Sequence, residues 1–170
     1  NDAMREYYLG CIYYYLLLND VKKHYEYTHR YLFLIEKNEY YIIENPSIYI
    51  TAICNFLMAS LNLNMWDDRF QNALSKLDDL YHHAPYKEYE TEDIKALLFA
   101  RLHINKLLYH EKAGQYDKTL KMIPVIEQGL EKHKFRINHR LHAILQFNLA
   151  CNYIGLENYR MANHHFNFAK

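Results

Sequence analysis

The sequence predicts an all-α protein, and three observations carry this prediction. Its 170 residues include only four glycines and three prolines, so few positions break a helix. Apolar side chains recur at spacings of three and four along most of the chain, which is the period of an amphipathic helix. The alternation that marks a half-buried strand does not occur. We therefore expect helices joined by short connections.

Breakers divide the chain into eight predicted helices. Their approximate ranges, in order, are 3–18, 20–37, 47–64, 67–83, 91–113, 115–133, 138–155 and 158–170. Helices joined by short connections pack as antiparallel neighbours, so we expect four hairpins, at 3–37, 47–83, 91–133 and 138–170. A single domain over 1–170 suits this length.

Capping and turn residues support several of these boundaries. Asn45 precedes Pro46, and a side-chain cap followed by proline at the first helical position favours a helix start. Thr91, followed by two acidic residues, offers the same kind of cap to the fifth helix. Gly114 suits a left-handed turn between the fifth and sixth helices. Pro124 lies inside the sixth helix, where we expect a kink.

Two uncharged stretches resemble membrane-spanning segments. Residues 7–19 are too short, because a span needs roughly 20 apolar residues. Residues 45–66 are long enough, but Asn55, Ser60 and Asn62 interrupt them, and each is costly in lipid. The charged, tyrosine-rich start also lacks the pattern of a secretory signal. We therefore predict a buried helix at 45–66 and no membrane partner.

Composition and charge favour a folded cytoplasmic protein without a nucleic-acid site. The chain is 51% hydrophobic and 24% charged, which is typical of folded domains. Twenty basic residues balance twenty acidic ones, so the positive field that attracts nucleic acid is missing. Cys11, Cys54 and Cys151 are odd in number and scattered in apolar runs, which argues against a disulfide framework.

An internal sequence repeat distinguishes a solenoid from a helix bundle, which are both all-α folds. In the second helix of each hairpin, a large residue is followed by a small one three positions later and by apolar residues four and three positions further on. The four sets, which we call repeat stripes, are Tyr25, Thr28, Leu32 and Ile35; Phe70, Ala73, Leu77 and Leu80; Tyr116, Thr119, Ile123 and Ile126; and Tyr159, Ala162, Phe166 and Ala169. Their first members are 45, 46 and 43 residues apart. Because these offsets follow one face of a helix, we expect stacked hairpins to cover each stripe, in an elongated curved array.

The last hairpin resembles the tetratricopeptide repeat (TPR) family. The family's signature spacing is met by Leu149, Ala150, Tyr153, Tyr159, Ala162, Phe166 and Ala169. Similar motifs are formed by Leu9, Gly10 and Tyr13 and by Leu80 with Pro85. The repeats are longer than the family's roughly 34 residues, and Gln146 stands where the family has tryptophan. The resemblance implies a right-handed α-α superhelix, a TPR-like solenoid of about four helical hairpins.

The resemblance also implies a non-enzymatic scaffold that binds a protein or peptide. Such arrays usually hold their partner against the face built from first helices, often through asparagines and basic residues. By position, this points to Arg101, Asn105, Asn148 and Asn152. The alternative is that these are ordinary solvated polar residues. In some relatives the array is the sensor of a larger regulator, and because both ends of this sequence look cut, we expect flanking repeats or an effector domain.

Residues that carry catalysis or bind metal form no recognisable motif. The sequence has no glycine-rich phosphate loop, nucleophile elbow or Cys-x-x-Cys pair. His139 and His142 can share one helix face, but no cysteine or carboxylate joins them at the spacing of a metal site. The doublets at 82–83 and 164–165 point about 100° apart and chelate poorly. We predict no catalytic residue, metal or cofactor. The competing hypothesis is a metal-dependent or enzymatic helical protein that uses the histidines.

Tyrosine is unusually frequent, with eighteen residues. Tyr7, Tyr8, Tyr13, Tyr14 and Tyr15 point in too many directions to be buried on one face, so some must face solvent or another surface. One explanation is an aromatic contact patch for a partner, and the other is compositional bias of an AT-rich genome. A third functional hypothesis is an obligate self-associating domain with this aromatic face as its homodimer interface.

Overall fold

The computed structural model describes residues 2–169, which form helices, turns and loops without a β-strand. The prediction of an all-α protein is confirmed. The α-helices of this range are α1 (Asp2–Leu17), α2 (Val21–Glu36), α3 (Glu39–Ile43), α4 (Pro46–Asn62), α5 (Asp68–His83), α6 (Glu92–Lys112), α7 (Tyr116–His133), α8 (His139–Gly155) and α9 (Tyr159–Phe168). A short 3-10 helix, Lys87–Glu90, precedes α6.

The structure adds two short elements, α3 and the 3-10 helix, to the eight predicted helices. The Asn38 side chain caps α3 by accepting a hydrogen bond from the Tyr40 backbone N–H at 3.1 Å. Tyr89 of the 3-10 helix is fully buried and donates its hydroxyl proton to the Ile42 carbonyl at 2.6 Å. Elements of four or five residues are too short to show a helical period in sequence.

The described chain divides into two compact units, with the boundary between Glu90 and Thr91. In the first unit α1 packs on α2, α2 on α4, and α4 on α5. In the second unit α6 packs on α7 and α8, and α8 packs on α9. Each predicted hairpin therefore lies inside one unit. A single domain over 1–170 stays a prediction.

The core of the first unit is built around α4. Ile50, Ile53 and Leu57 of this helix are fully buried, because α2 and α5 pack on it. The repeat-stripe residues buried in α2 and α5 are Thr28, Leu32, Ile35, Phe70, Ala73, Leu77 and Leu80. The uncharged stretch 45–66 is thus largely a core helix, as predicted. Among residues 2–169, no helix has the length and apolar run that crossing a membrane requires.

The second unit buries one repeat stripe and leaves the other partly open. Thr119, Ile123 and Ile126 of α7 are buried. Of the stripe that begins at Tyr159 only Ala162 is buried, and Tyr159 itself is 66% exposed. The difference has a simple cause, since α9 packs on α8 and no later helix in the described range covers its other side.

The predicted helix ends agree with the structure at most positions. Thr91 caps α6 through its side-chain oxygen, and Gly114 has a left-handed φ of 65°. Pro124 lies inside α7, and the kink expected there stays a prediction. Asn45 precedes Pro46 at the start of α4, but its side chain makes no capping hydrogen bond, so that part of the prediction is wrong. The Asn45 carbonyl instead accepts from the Ile48 N–H at 2.9 Å.

Candidate functional site

The four residues that the TPR resemblance singles out lie within the second unit. Arg101 and Asn105 belong to α6, and Asn148 and Asn152 belong to α8. The asparagines are 2%, 3% and 0% exposed in that order, whereas Arg101 is half-buried. The structure therefore places three of the four inside the unit, away from solvent. Their contact with a partner stays a prediction.

Asn152 joins three helices of the second unit. Its side-chain amide donates to the Asn148 carbonyl at 2.9 Å and to the Leu107 carbonyl at 3.4 Å. Its side-chain oxygen accepts a hydrogen bond from the Thr119 hydroxyl at 2.9 Å. Buried polar groups need such partners, so Asn152 stabilises the packing of α6, α7 and α8.

Asn105 and Asn148 use their amides in a similar, more local way. Asn105 donates to the Arg101 carbonyl and Asn148 to the Ile144 carbonyl, both at 2.8 Å and both one turn back along the helix. Two buried atoms here, Oδ1 of Asn105 and Nε of Arg101, have no hydrogen-bond partner among residues 2–169. These atoms are the part of the predicted site that still lacks a structural role.

The histidines do not assemble a metal site in the part of the chain that the structure describes. No three histidine, cysteine, aspartate or glutamate side chains of residues 2–169 come together as metal ligands. His139 is exposed, and His142 is half-buried with Nε2 at 3.4 Å from the Gln146 amide nitrogen. The His164 and His165 rings lie 5.3 Å apart, nearly perpendicular to each other.

His165 has a buried partner that the sequence analysis missed. Its Nδ1 lies 2.7 Å from Oε1 of Gln146, and its ring stacks on Tyr153 at 5.2 Å. Gln146 is the residue that the TPR resemblance aligns with the family's tryptophan, and here it forms a buried polar pair with His165. Burial, with a smaller effect of His164, lowers the pKa of His165.

A tyrosine-rich surface lies on α1 and the turn that follows it. We call this surface the tyrosine face; its exposed residues are Met4, Tyr7, Tyr13, Tyr14, Leu16, Leu17 and Leu18. Other tyrosines of α1 pack inward on α2, where Tyr15 stacks on Tyr27 at 5.2 Å. Hydrogen bonding with Tyr27 and Cys11 raises the pKa of Tyr7 to about 12, so the hydroxyl is neutral at physiological pH. The members of the tyrosine face are thus uncharged aromatic and aliphatic side chains, and the exposed Glu6 carboxylate directly before Tyr7 is paired with Arg5.

A groove of the first unit lies between α2 and α5, with α4 beneath it. Residues His29 to Glu36 of α2 and Arg69 to Lys76 of α5 line the two sides, and Phe56 of α4 lies at the floor. Its volume is about 170 Å³. On both helices the lining positions fall at offsets of 0, 3, 4 and 7, so they share one helix face. This face borders the repeat stripe of the same helix. This α2–α5 groove was not predicted, although that shared spacing is visible in the sequence.

The two ends of the α2–α5 groove carry different charges. At one end Lys76 Nζ lies 2.6 Å from Glu36 Oε1. At the other end Arg69 lies near Tyr25. The pKa of Tyr25 is raised, chiefly by burial, and the Arg69 guanidinium partly opposes this effect. Residues 25 and 69 thus share one end and residues 36 and 76 the other, so α2 and α5 run in the same direction along the groove.

The comparisons with known proteins leave the chain's relationships open. No protein-family model matches the sequence, and neither the curated proteins nor the solved structures give a match. The likeness to the TPR family therefore rests on the residues of this chain alone.

Proposed function

We propose that this chain is a non-enzymatic module that binds a protein or peptide, built as a TPR-like right-handed superhelix. The burial of the repeat stripes in α2, α5 and α7 supports a repeat architecture. In this proposal the module acts in the cytoplasm as the sensor or regulatory part of a larger protein, and it has no nucleic-acid partner.

The tyrosine face is the observation that carries the proposal. Its aromatic members Tyr7, Tyr13 and Tyr14 are 56%, 62% and 58% exposed, and Leu17 is 86% exposed. Protein interfaces are enriched in tyrosine, which provides a large contact area at small entropic cost. Seven exposed apolar side chains within residues 4–18 exceed the scattered single ones that are ordinary on a protein surface. A polypeptide partner is the occupant that this surface suits.

A metal-dependent or enzymatic role draws less support from the geometry. His24, His133 and His165 are 5%, 2% and 4% exposed, so these rings contribute to packing inside each unit. Elemental analysis of the purified protein tests this alternative directly. The metal hypothesis would be supported if the wild type contains stoichiometric zinc or iron and the double variant His139→Ala/His142→Ala loses it.

Site-specific photo-crosslinking in cells tests the proposed function. A photoreactive phenylalanine analogue replaces Tyr14 on the tyrosine face, and the same analogue at Phe135, which is 92% exposed in the second unit, serves as the control. We expect position 14, and not position 135, to form an adduct with a different polypeptide. An adduct with a second copy of this chain would replace the proposal with self-association, and equal labelling at both positions would contradict it.

A further inference from the structure

The α2–α5 groove has an apolar base and a polar rim within the first unit. Leu32, Phe56 and Ala73 form its base, and they are 7%, 2% and 4% exposed. The Phe33 ring forms part of one wall and is 56% exposed, with Lys37 Nζ 4.2 Å from the ring centre. An exposed aromatic wall beside a buried apolar base is the form of a pocket that takes one apolar group.

The size of the groove limits its occupant. Pockets for drug-sized ligands and cofactors measure about 300–1,000 Å³, and this groove holds about 170 Å³. It is therefore too small for a whole cofactor and suits a single side chain of a larger partner. Each wall advances by seven residues, about 10 Å of helix, which equals about three residues of extended peptide.

The charges around the groove favour an acidic occupant. Three positive charges lie at the groove, on Arg69, Lys76 and Lys37. Two negative charges lie beside them, since Glu36 pairs with Lys76 and Asp67 is next to Arg69, so the local excess is one positive charge. The chain as a whole has no net charge, so this excess is a local feature. The Arg69 side chain is 62% exposed, and the carboxylate of Asp67 lies 3.9 Å from its Nε. The guanidinium retains donors for a bidentate contact with a further carboxylate.

We propose that the α2–α5 groove binds an extended acidic peptide segment of a partner protein, with one large apolar side chain as its anchor. The anchor packs on Phe56 and Ala73, one carboxylate of the peptide pairs with Arg69, and a second, about three residues away, lies near Lys76. This inference rests on the proposed function, because it names the class of peptide that the module recognises. It assigns recognition to second helices, whereas the TPR resemblance points to first helices.

Selection from displayed random seven-residue peptides tests the proposal. The immobilised full chain is the target, and enriched peptides are synthesised with a fluorescent label for measurement of Kd by anisotropy. We expect enrichment of sequences with one leucine, phenylalanine or methionine between aspartates or glutamates. Enrichment of basic peptides, or no enrichment at all, would overturn the inference.

Two variants and two matched controls locate the binding. Arg69→Glu and Phe33→Ala each change an exposed groove residue, and we expect each to weaken the selected peptide about tenfold. Lys22→Glu, on α2 outside the groove, and Phe135→Ala, in the second unit, make the same changes elsewhere and should leave Kd unchanged. Circular dichroism establishes that each variant is folded.

A charge swap gives the most specific result. Replacing the carboxylate residue of the peptide that pairs with Arg69 by lysine should restore binding to Arg69→Glu and weaken binding to the wild type. A selected peptide that binds Arg69→Glu and Phe33→Ala as tightly as the wild type would refute the groove. If crosslinking at Tyr14 still captures another polypeptide, the proposed function stands while the groove inference falls.

Discussion

Acidification is expected to destabilise the second unit, because it buries neutral histidine rings. His133 and His165 are 2% and 4% exposed, and burial is the largest cause that lowers the pKa of each. Burial also lowers the pKa of His110, which is half-buried and whose contact with Gln115 opposes the effect. The folded unit therefore resists protonation that the unfolded chain accepts.

The sign and size of the effect follow from proton linkage. An unfolded histidine titrates near its ordinary pKa of about 6.5, and the folded rings titrate lower. Stability is therefore complete above about pH 6.5 and falls below it, by up to about 1.4 kcal/mol per pH unit for each ring, until the folded pKa is reached. At about pH 5.5, one unit below the unfolded pKa, the loss from His133 and His165 together has an upper limit of about 3 kcal/mol, which applies when both folded rings stay neutral. His110 adds less, because it is partly exposed.

Urea unfolding at about pH 7.5 and about pH 5.5, followed by circular dichroism, measures the loss. His133→Phe is the informative variant, because Nδ1 of His133 has no hydrogen-bond partner among the described residues and its ring already lies 5.4 Å from Phe99. We expect this variant to lose less stability than the wild type between the two pH values, by at most about 1.4 kcal/mol. Gly10→Ala, a change in the first unit that removes no titratable group and whose added Cβ meets no atom within 4 Å, should lose as much as the wild type between the two pH values. An unchanged pH dependence in His133→Phe, or greater stability at low pH, would refute the reasoning.

Three further changes test packing in the two units by urea unfolding at neutral pH. Gly129→Ala should destabilise by about 1 to 3 kcal/mol, since its Cβ would lie 2.0 Å from the Phe99 ring; a variant as stable as the wild type contradicts this close contact. Gly10→Ala, whose Cβ meets no atom within 4 Å, should stabilise by about 0.5 to 1 kcal/mol. Asn152→Ala should destabilise by about 2 to 3 kcal/mol by leaving the Thr119 hydroxyl unpaired, whereas a change within about 0.5 kcal/mol would indicate a solvated asparagine.

Periodicity predicted the parts of the fold that depend on local sequence. The stripe that begins at Phe70 has the spacing of one helix face, and all four of its residues are buried. The stripe that begins at Tyr159 has the same spacing, yet Tyr159 is exposed. Spacing identifies which residues share a face, but burial depends on whether another helix covers that face.

The sites could not be predicted in the same way, because their partners are distant in sequence. Asn152 bonds to Thr119 across 33 residues and His165 to Gln146 across 19. A polar residue at a helical spacing looks the same in sequence whether it faces solvent or a buried hydroxyl. The family pattern points to asparagines of α6 and α8, but it carries no information about which faces of these helices this chain covers.

Salt should distinguish the two surfaces that this chain offers to a partner. The tyrosine face carries no charge on its exposed members, whereas the α2–α5 groove uses Arg69 and Lys76. Raising the ionic strength from about 0.1 M to about 1 M shortens the screening length from about 10 Å to about 3 Å, so charge pairs weaken. Salts that are strongly excluded from protein surfaces also strengthen apolar contacts. The Kd of a groove peptide should therefore rise several-fold in sodium chloride, while the yield of the position-14 adduct in purified mixtures stays constant. Equal salt sensitivity of both would mean that one charged surface accounts for all binding, because apolar contacts alone do not weaken as screening increases.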